Sequence, residues 1–407
     1  MNDQQRNKVE SETLRTFKAE RPSEYFSHLD DDLAAFKAFD SQRENLYRFG
    51  LTFPPEFFNN KSLIDLGAGT GEATVSLARW GAICTLVEMN PDAVEVAKRV
   101  FSQHTNNFNQ HSFINSSLYD LDLDLLKESF DISSSCGVFT HVADKAKAFA
   151  ILASLAKPGG YVIYGDRNTL GGLQEMLQRY AIYQLGGQSD EKIVEIAEIL
   201  FSEDIDRSQR SVARRTRRAI IFDRWVIQQQ DDPSVNEVLT FFEQEGLEYV
   251  SSWPRIDFPG RGNSVLSDPR NLPALRDGAR LIESLWMVLN KGESENILSC
   301  NPIQNNEKFY DQLEVIGESL RNHQINDRVD VGQLIDKFIH LGSSVTTNNA
   351  ILSERLEQFS LEVQEFLKMI EASNDPQDIR KRIDSFKILF RGYAGVRHVD
   401  YVAFKPR

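Results

Sequence analysis

Only three cysteines occur in 407 residues, Cys84, Cys136 and Cys300, and no two of them form a CxxC pair. Any disulfide scheme leaves one over, which suits a reducing compartment, and such spacing offers no structural zinc site and no other metal centre. Long hydrophobic runs are also missing. No stretch of about 18 uncharged apolar residues occurs, and the opening MNDQQRNKVESETLRTFK has no apolar core. Neither a membrane span nor a secretory leader is therefore expected, no membrane partner is implied, and the protein reads as cytoplasmic. Net positive charge is lacking too: 46 Lys and Arg against 60 Asp and Glu give −14. Such a chain repels a phosphate backbone on average, which disfavours nucleic acid as a generic partner. Internal repeats and low-complexity tracts are absent.

What is present is a globular composition, 41% hydrophobic and 26% charged, with room for a sizeable core. Residues 1–60 read as a helical cap, because Leu33, Phe36, Phe39, Leu46 and Phe49 follow a helical spacing until Pro54 and Pro55 stop it. Residues 61–167 alternate short apolar strands (SLIDL, AICTLVE, HSFIN, FDISSSC, GYVIYG) with helical stretches, the pattern of a parallel sheet covered on both faces. Lys157-Pro158-Gly159-Gly160 reads as a turn into the last of these strands. Residues 168–222 are helical and read as a lid over a substrate. Residues 223–257 resume the core with a helix ended by Gly246 and a strand, LEYVSSWP; 258–395 form a second helical insertion, bounded by FPGRGNS and RGYAG; and 396–407 hold a final strand. The expected fold is thus α/β, a doubly wound sheet with large helical insertions after strands five and six.

Within the second insertion Leu352, Leu356, Phe359, Val363, Phe366 and Ile370 recur at steps of four and three. Fewer than three heptads are present, so an intramolecular hairpin with IRKRIDSFKILF is favoured over a dimeric coiled coil. A homo-oligomer through the helical insertions stays open.

The chemistry is carried by LIDLGAGTGEA, in which Asp65 ends a strand and the chain turns through Gly67, Ala68, Gly69 and Gly71 into a helix. Glycines so spaced let main chain approach a ligand that side chains would exclude. A dinucleotide site wants a third glycine where this chain has Glu72, which weakens an oxidoreductase reading. Glu88, closing CTLVE, can accept both hydroxyls of a ribose.

Asp65-Leu66-Gly67-x-Gly69-x-Gly71, followed by Glu88 and by the FDISSSCGVFTHVAD…KPGG block, resembles class I S-adenosylmethionine-dependent methyltransferases of the small-molecule type. The resemblance implies a Rossmann-like sheet and S-adenosylmethionine as cofactor. Asp65 would face its ammonium group, Glu88 its ribose and Met89 its adenine, with Gly67, Ala68, Gly69, Gly71, Ser117, Leu118 and Cys136 around them. Where many members carry an acid against the adenine amino group, this chain has Ser116 and Ser117. Asp120 either takes that place or caps the next helix.

Methyl transfer from a sulfonium needs in-line geometry more than acid–base groups, although a base helps a hydroxyl or protonated amine. His141 is the candidate base, with orientation of its loop as the alternative role. Asp166 and Arg167 leave the fifth strand at the same sheet edge and are candidate substrate-binding groups, or else pair with each other at the surface. The expected reaction is methylation of a small polar acceptor such as a saccharide or another metabolite. The rival readings are a non-catalytic cofactor-binding scaffold and an RNA methyltransferase using the arginines between Arg207 and Arg224. The acidic run from Asp190 to Glu203 argues against RNA, because the two runs can pair with each other.

Overall fold

The structure is a computed structural model. It describes residues 3–21, 24–27, 32–209, 215–256, 307–321, 330–344, 350–391 and 398–407, together with Arg276 and Glu283. Cys300, Arg210, Arg214 and the FPGRGNS boundary lie outside the described residues, as does most of RGYAG.

Seven strands form one sheet: β1 (Ser62–Leu66), β2 (Ile83–Glu88), β3 (Ser112–Asn115), β4 (Phe130–Cys136), β5 (Ala156–Arg167), β6 (Glu248–Trp253) and β7 (His398–Phe404). Their spatial order is β3-β2-β1-β4-β5-β7-β6, and β7 runs antiparallel to both its neighbours. The order reverses at β1, so β1 and β4 part at their carboxyl ends and open a crevice there. Helices α1 (Asp3–Glu20) and α2 (Leu33–Asn45) precede the sheet. Helices α3 (Glu72–Arg79), α4 (Pro91–His104), α5 (Leu123–Leu126) and α6 (Lys145–Leu155) make its crossovers.

The strands expected from the sequence are present within a residue or two of their expected ends, except at KPGG. Those residues lie inside β5: Phe130 and Ile132 of β4 pair with Ala156 and Tyr161, so the extra residues bulge within the strand. Gly159 takes φ +83° there and donates its N–H to Lys405. Asp120 also differs from expectation. Asp122 caps α5 by accepting from the Leu125 N–H, while Asp120 pairs with Arg6 on α1 at 2.6 Å.

Beyond the sheet, α7 (Leu173–Gln184), α8 (Asp190–Gln209) and α9 (Arg217–Ile221) follow β5, and α10 (Val235–Gln244) leads into β6. Helices α11 (Glu307–Arg321), α12 (Val331–Ser344), α13 (Ala350–Ala372) and α14 (Pro376–Ile383) lie between β6 and β7. The two helical insertions share a single hydrophobic core. Leu177, Ile196, Leu200 and Phe222 from the first pack in one cluster with Phe338, Phe359, Phe366 and Ile379 from the second. Leu356, Phe359, Val363, Phe366 and Ile370 of the α13 seam are buried within this chain, which is the intramolecular packing expected of them. Among the described residues no helix is long and apolar enough to cross a membrane.

Phe359 is fully buried at the centre of this shared core. Phe359→Ala therefore lowers stability by about 3–5 kcal/mol, read as an earlier midpoint in chemical denaturation. An unchanged midpoint would show that the two insertions do not depend on one core.

Candidate active site

The turn after β1 is built from main chain. Gly67, Gly69 and Gly71 all have positive φ, +70°, +54° and +72°, a region open to glycine and strained for other residues. Each has its own reason to lack a side chain. A Cβ on Gly67 would lie 2.6 Å from Val138, and one on Gly71 would press on Leu86, Phe101 and Ala97 under α3. A Cβ on Gly69 would meet nothing within 4 Å, because it would project into open space. Gly71 is thus a packing glycine at the helix start, and Gly69 faces a ligand.

That open space is a cavity of about 540 Å3, within the range typical of small-molecule sites. Of the residues singled out from the sequence, Gly67, Ala68, Gly69, Glu88, Met89, Ser117, Leu118, Cys136, His141, Asp166 and Arg167 line it. Asp65 and Gly71 do not. Asp65 is buried beneath the loop, accepts a hydrogen bond from the Thr74 hydroxyl on α3, and has its pKa raised by burial to about 6. Its placement ties β1 to the first turn of α3.

Glu88 accepts the Gly69 N–H at 2.9 Å through Oε2 and the Asn90 N–H at 2.8 Å through Oε1. Each carboxylate oxygen keeps a lone pair for a further donor. Glu72, standing where a dinucleotide site would have glycine, accepts the backbone N–H groups of Tyr25, Phe26 and Ser27, the Phe26 bond being 2.9 Å. The residue that argued against a dinucleotide thus docks the segment after α1 onto the glycine loop.

At the other end of the cavity the groups are charged. Asp166 accepts the Thr140 N–H at 3.0 Å and the Tyr164 hydroxyl at 3.3 Å; burial raises its pKa to about 6. The Arg167 backbone N–H donates to Asp166 Oδ1 at 2.9 Å, but its guanidinium does not pair with that carboxylate. It reaches Glu175 at 2.8 Å and Asp223 at 3.0 Å, so the expected surface pair is replaced by a half-buried network. Cys136 is half-buried, and desolvation pushes its thiol pKa up.

His141 Nδ1 lies 2.7 Å from the Gln229 carbonyl. A carbonyl can only accept, so Nδ1 carries the proton and Nε2 keeps its lone pair. Burial, helped by Arg167, lowers the His141 pKa to about 4. The ring is neutral near neutral pH and a weak base.

Several cavity residues escaped the sequence reading. His398 and Asp400 alternate on β7 and share a face, with Nε2 3.2 Å from Asp400 Oδ1. Across the ladder Asp400 stands opposite Gly165 and His398 opposite Arg167, and a Cβ on Gly165 would press on both Asp400 Oδ1 and His398 Nε2. Burial opposes the His398 imidazolium, but Asp400 and then Asp166 hold its pKa above the usual value. The alternation in RHVDYVAF was visible; the glycine that makes room for the pair was not. Arg43 and Glu10, from α2 and α1, reach the cavity only through tertiary packing.

The sheet order and the glycine loop are those that the resemblance to class I S-adenosylmethionine-dependent methyltransferases implies. Residues 57–219 match the family described as methyltransferase domain. Curated relatives include the ubiquinone biosynthesis O-methyltransferase of Coxiella burnetii, 33% identical over 26% of this chain and 44% of the relative. That of Vibrio atlanticus is 26% identical over 34% of this chain and 60% of the relative. The chain thus spans well under two thirds of the length of these relatives. Among solved structures, magnesium protoporphyrin IX methyltransferase from Synechocystis overlaps 60% of this chain and 82% of its own at 13% identity, with a TM-score of 0.33. The YcgJ protein from Bacillus overlaps 54% and 71% at 16% identity, with a TM-score of 0.30.

The residues present fit the cofactor, since a bare glycine main chain and the Glu88 carboxyl group face the same open space. Gly69→Val places a branched side chain in that space at a left-handed φ. It should abolish S-adenosylhomocysteine binding in calorimetry while the protein stays folded by circular dichroism. Unaltered binding would move the cofactor elsewhere.

Proposed function

We propose that this protein transfers a methyl group from S-adenosylmethionine to an oxygen of a small polar acceptor. The observation that carries the reading is the continuity of the cavity, with the glycine loop and Glu88 at one end and Asp166, Arg167, His398 and Asp400 at the other. Oxygen is favoured because the curated relatives are O-methyltransferases. When bound, S-adenosylmethionine supplies a methyl group on a sulfonium, whose loss leaves a neutral thioether.

The protein's own part is to position, to exclude water and to take a proton. Thr140 and Asp166 orient the acceptor end, and α1 covers the cavity with Thr13, Leu14 and Phe17. His398 is the better-placed proton acceptor of the two histidines. Asp400 stabilises its imidazolium, whereas Arg167 and burial disfavour that of His141. His141, held by Gln229, orients the loop after β4.

RNA has little support as the acceptor. Arg217 pairs with Glu198 and Asp206, Arg218 with Glu20 and Glu191, Arg224 with Asp204, and Arg215 with Asp223. Carboxylates of this chain already engage these arginines. A non-catalytic scaffold would have no use for a histidine–aspartate pair in the cofactor cavity.

The test is a screen of hydroxylated small molecules with isotopically labelled S-adenosylmethionine, followed by a pH profile. A base with a raised pKa is protonated as pH falls through that value, so kcat/KM should decline below a limb lying above 6.5, the ordinary histidine value. His398→Gln should lower kcat by about 10²–10⁴-fold. A limb near 4 would return the role to His141, and binding of cofactor with no product across the screen would favour the scaffold.

A further inference from the structure

The loop after β3 lacks an acid, yet the cavity beside it does not. Glu10, on α1, lines the cavity together with Ser116, Ser117 and Leu118. Its Oε1 accepts the Ser117 hydroxyl at 2.6 Å and the Arg6 guanidinium at 3.2 Å. Among the described residues its Oε2 takes no hydrogen bond. Arg6 in turn holds Asp120 at 2.6 Å, so α1 is fastened at this end of the cavity by two contacts to the β3 loop.

With Glu88 gripping the ribose and the charged groups of β5 and β7 marking the acceptor end, the base of a bound nucleoside must extend the other way. That direction runs past Met89, over the carboxyl ends of β2 and β3, to Ser117 and Leu118. The Ser116 and Ser117 hydroxyls donate to the Ser117 carbonyl and to Glu10, and the Ser117 oxygen also accepts the Tyr119 N–H; as neutral acceptors both are weaker than a carboxylate oxygen. A 6-aminopurine brings an N–H donor to this place and needs an acceptor that other donors have not used up.

We propose that Glu10 is the acceptor of the adenine amino group, so that this end of the cofactor site is completed by the N-terminal helix rather than by the strand loop. The inference rests on the cofactor reading above. It makes α1 a specificity element for the base and couples cofactor occupancy to the seating of α1, which also donates the Thr13 hydroxyl to the His141 carbonyl and pairs Arg15 with Asp190 of α8.

The test is calorimetry on the full chain with S-adenosylhomocysteine and with its analogue carrying hydrogen in place of the 6-amino group. The wild-type protein should prefer the amino form about ten- to a hundred-fold, the size expected for a hydrogen bond to a charged group. Glu10→Ala should bring the two affinities together by weakening only the amino form. Glu10→Gln, which keeps an acceptor oxygen, should retain part of the preference and guards against a fold defect in the alanine variant. Hydrogen exchange in residues 3–20 should slow on binding the amino form, and less so with the analogue.

Equal affinities in the wild type, or a preference that survives Glu10→Ala, would overturn the assignment while leaving the cofactor site intact. Asp92, at the start of α4, also lines the cavity, and loss of the preference in Asp92→Ala instead would hand the amino group to α4 and overturn it equally. If the wild-type protein bound neither compound, the cofactor reading would fail and this inference with it.

Discussion

The carboxylate of Glu88 takes the N–H of Gly69 from the neighbouring loop, and most of the site depends on that bond. It joins the end of β2 to the turn after β1, so the bare main chain and the acid face the same space in a fixed relation. Desolvation at its half-buried place raises the Glu88 pKa, and the Asn90 and Gly69 N–H groups are what favour its charged form. Removing the side chain would free the loop and take away a ribose acceptor at once. The left-handed glycines are tolerable only because this turn is held from below as well, by Asp65 through Thr74.

Around that fixed turn the molecule adds a helical wall. Glu72 anchors Tyr25, Phe26 and Ser27 by their backbone N–H groups, which brings the end of α1 and the start of α2 over the cavity. Three N–H bonds to one buried carboxylate make a strong local tether. From there α1 reaches Ser117 at one end and Arg218, through Glu20, at the other. The helical layer built from both insertions therefore touches the site through α1 as well as through Arg167 and Asp223. One core spanning both insertions explains why they act as a unit although β6 and α10 separate them in sequence.

Much of the sheet was legible because its signals are local. FDISSSC is a strand end to end, Ser234 and Gly246 frame α10 as expected, and the glycine loop announced both its conformation and its ligand class. KPGG misled because a glycine–proline turn signal and a bulge inside a strand look alike without the partner strand. The acceptor end was half legible. Asp166 and Arg167 sit at a strand end that any open α/β sheet would nominate, but their partners Glu175 and Asp223 come from the helical layer. Glu10 and Arg43 gave no sequence signal, since helices outside the sheet have no fixed register against it. His398 and Asp400 were visible as a pair on one strand face, and only the antiparallel register opposite Gly165 shows that they share the cavity.

The central claim is that one loop and one acid hold an S-adenosyl nucleoside, and it is tested most directly by titrating S-adenosylhomocysteine into the wild-type protein and into Glu88→Ala. The account predicts stoichiometric binding by the former and a loss of about a hundred-fold in the latter, as two hydrogen bonds to a half-buried charge disappear. Equal binding by the two proteins, or tight binding of NAD in place of the S-adenosyl compound, would contradict it.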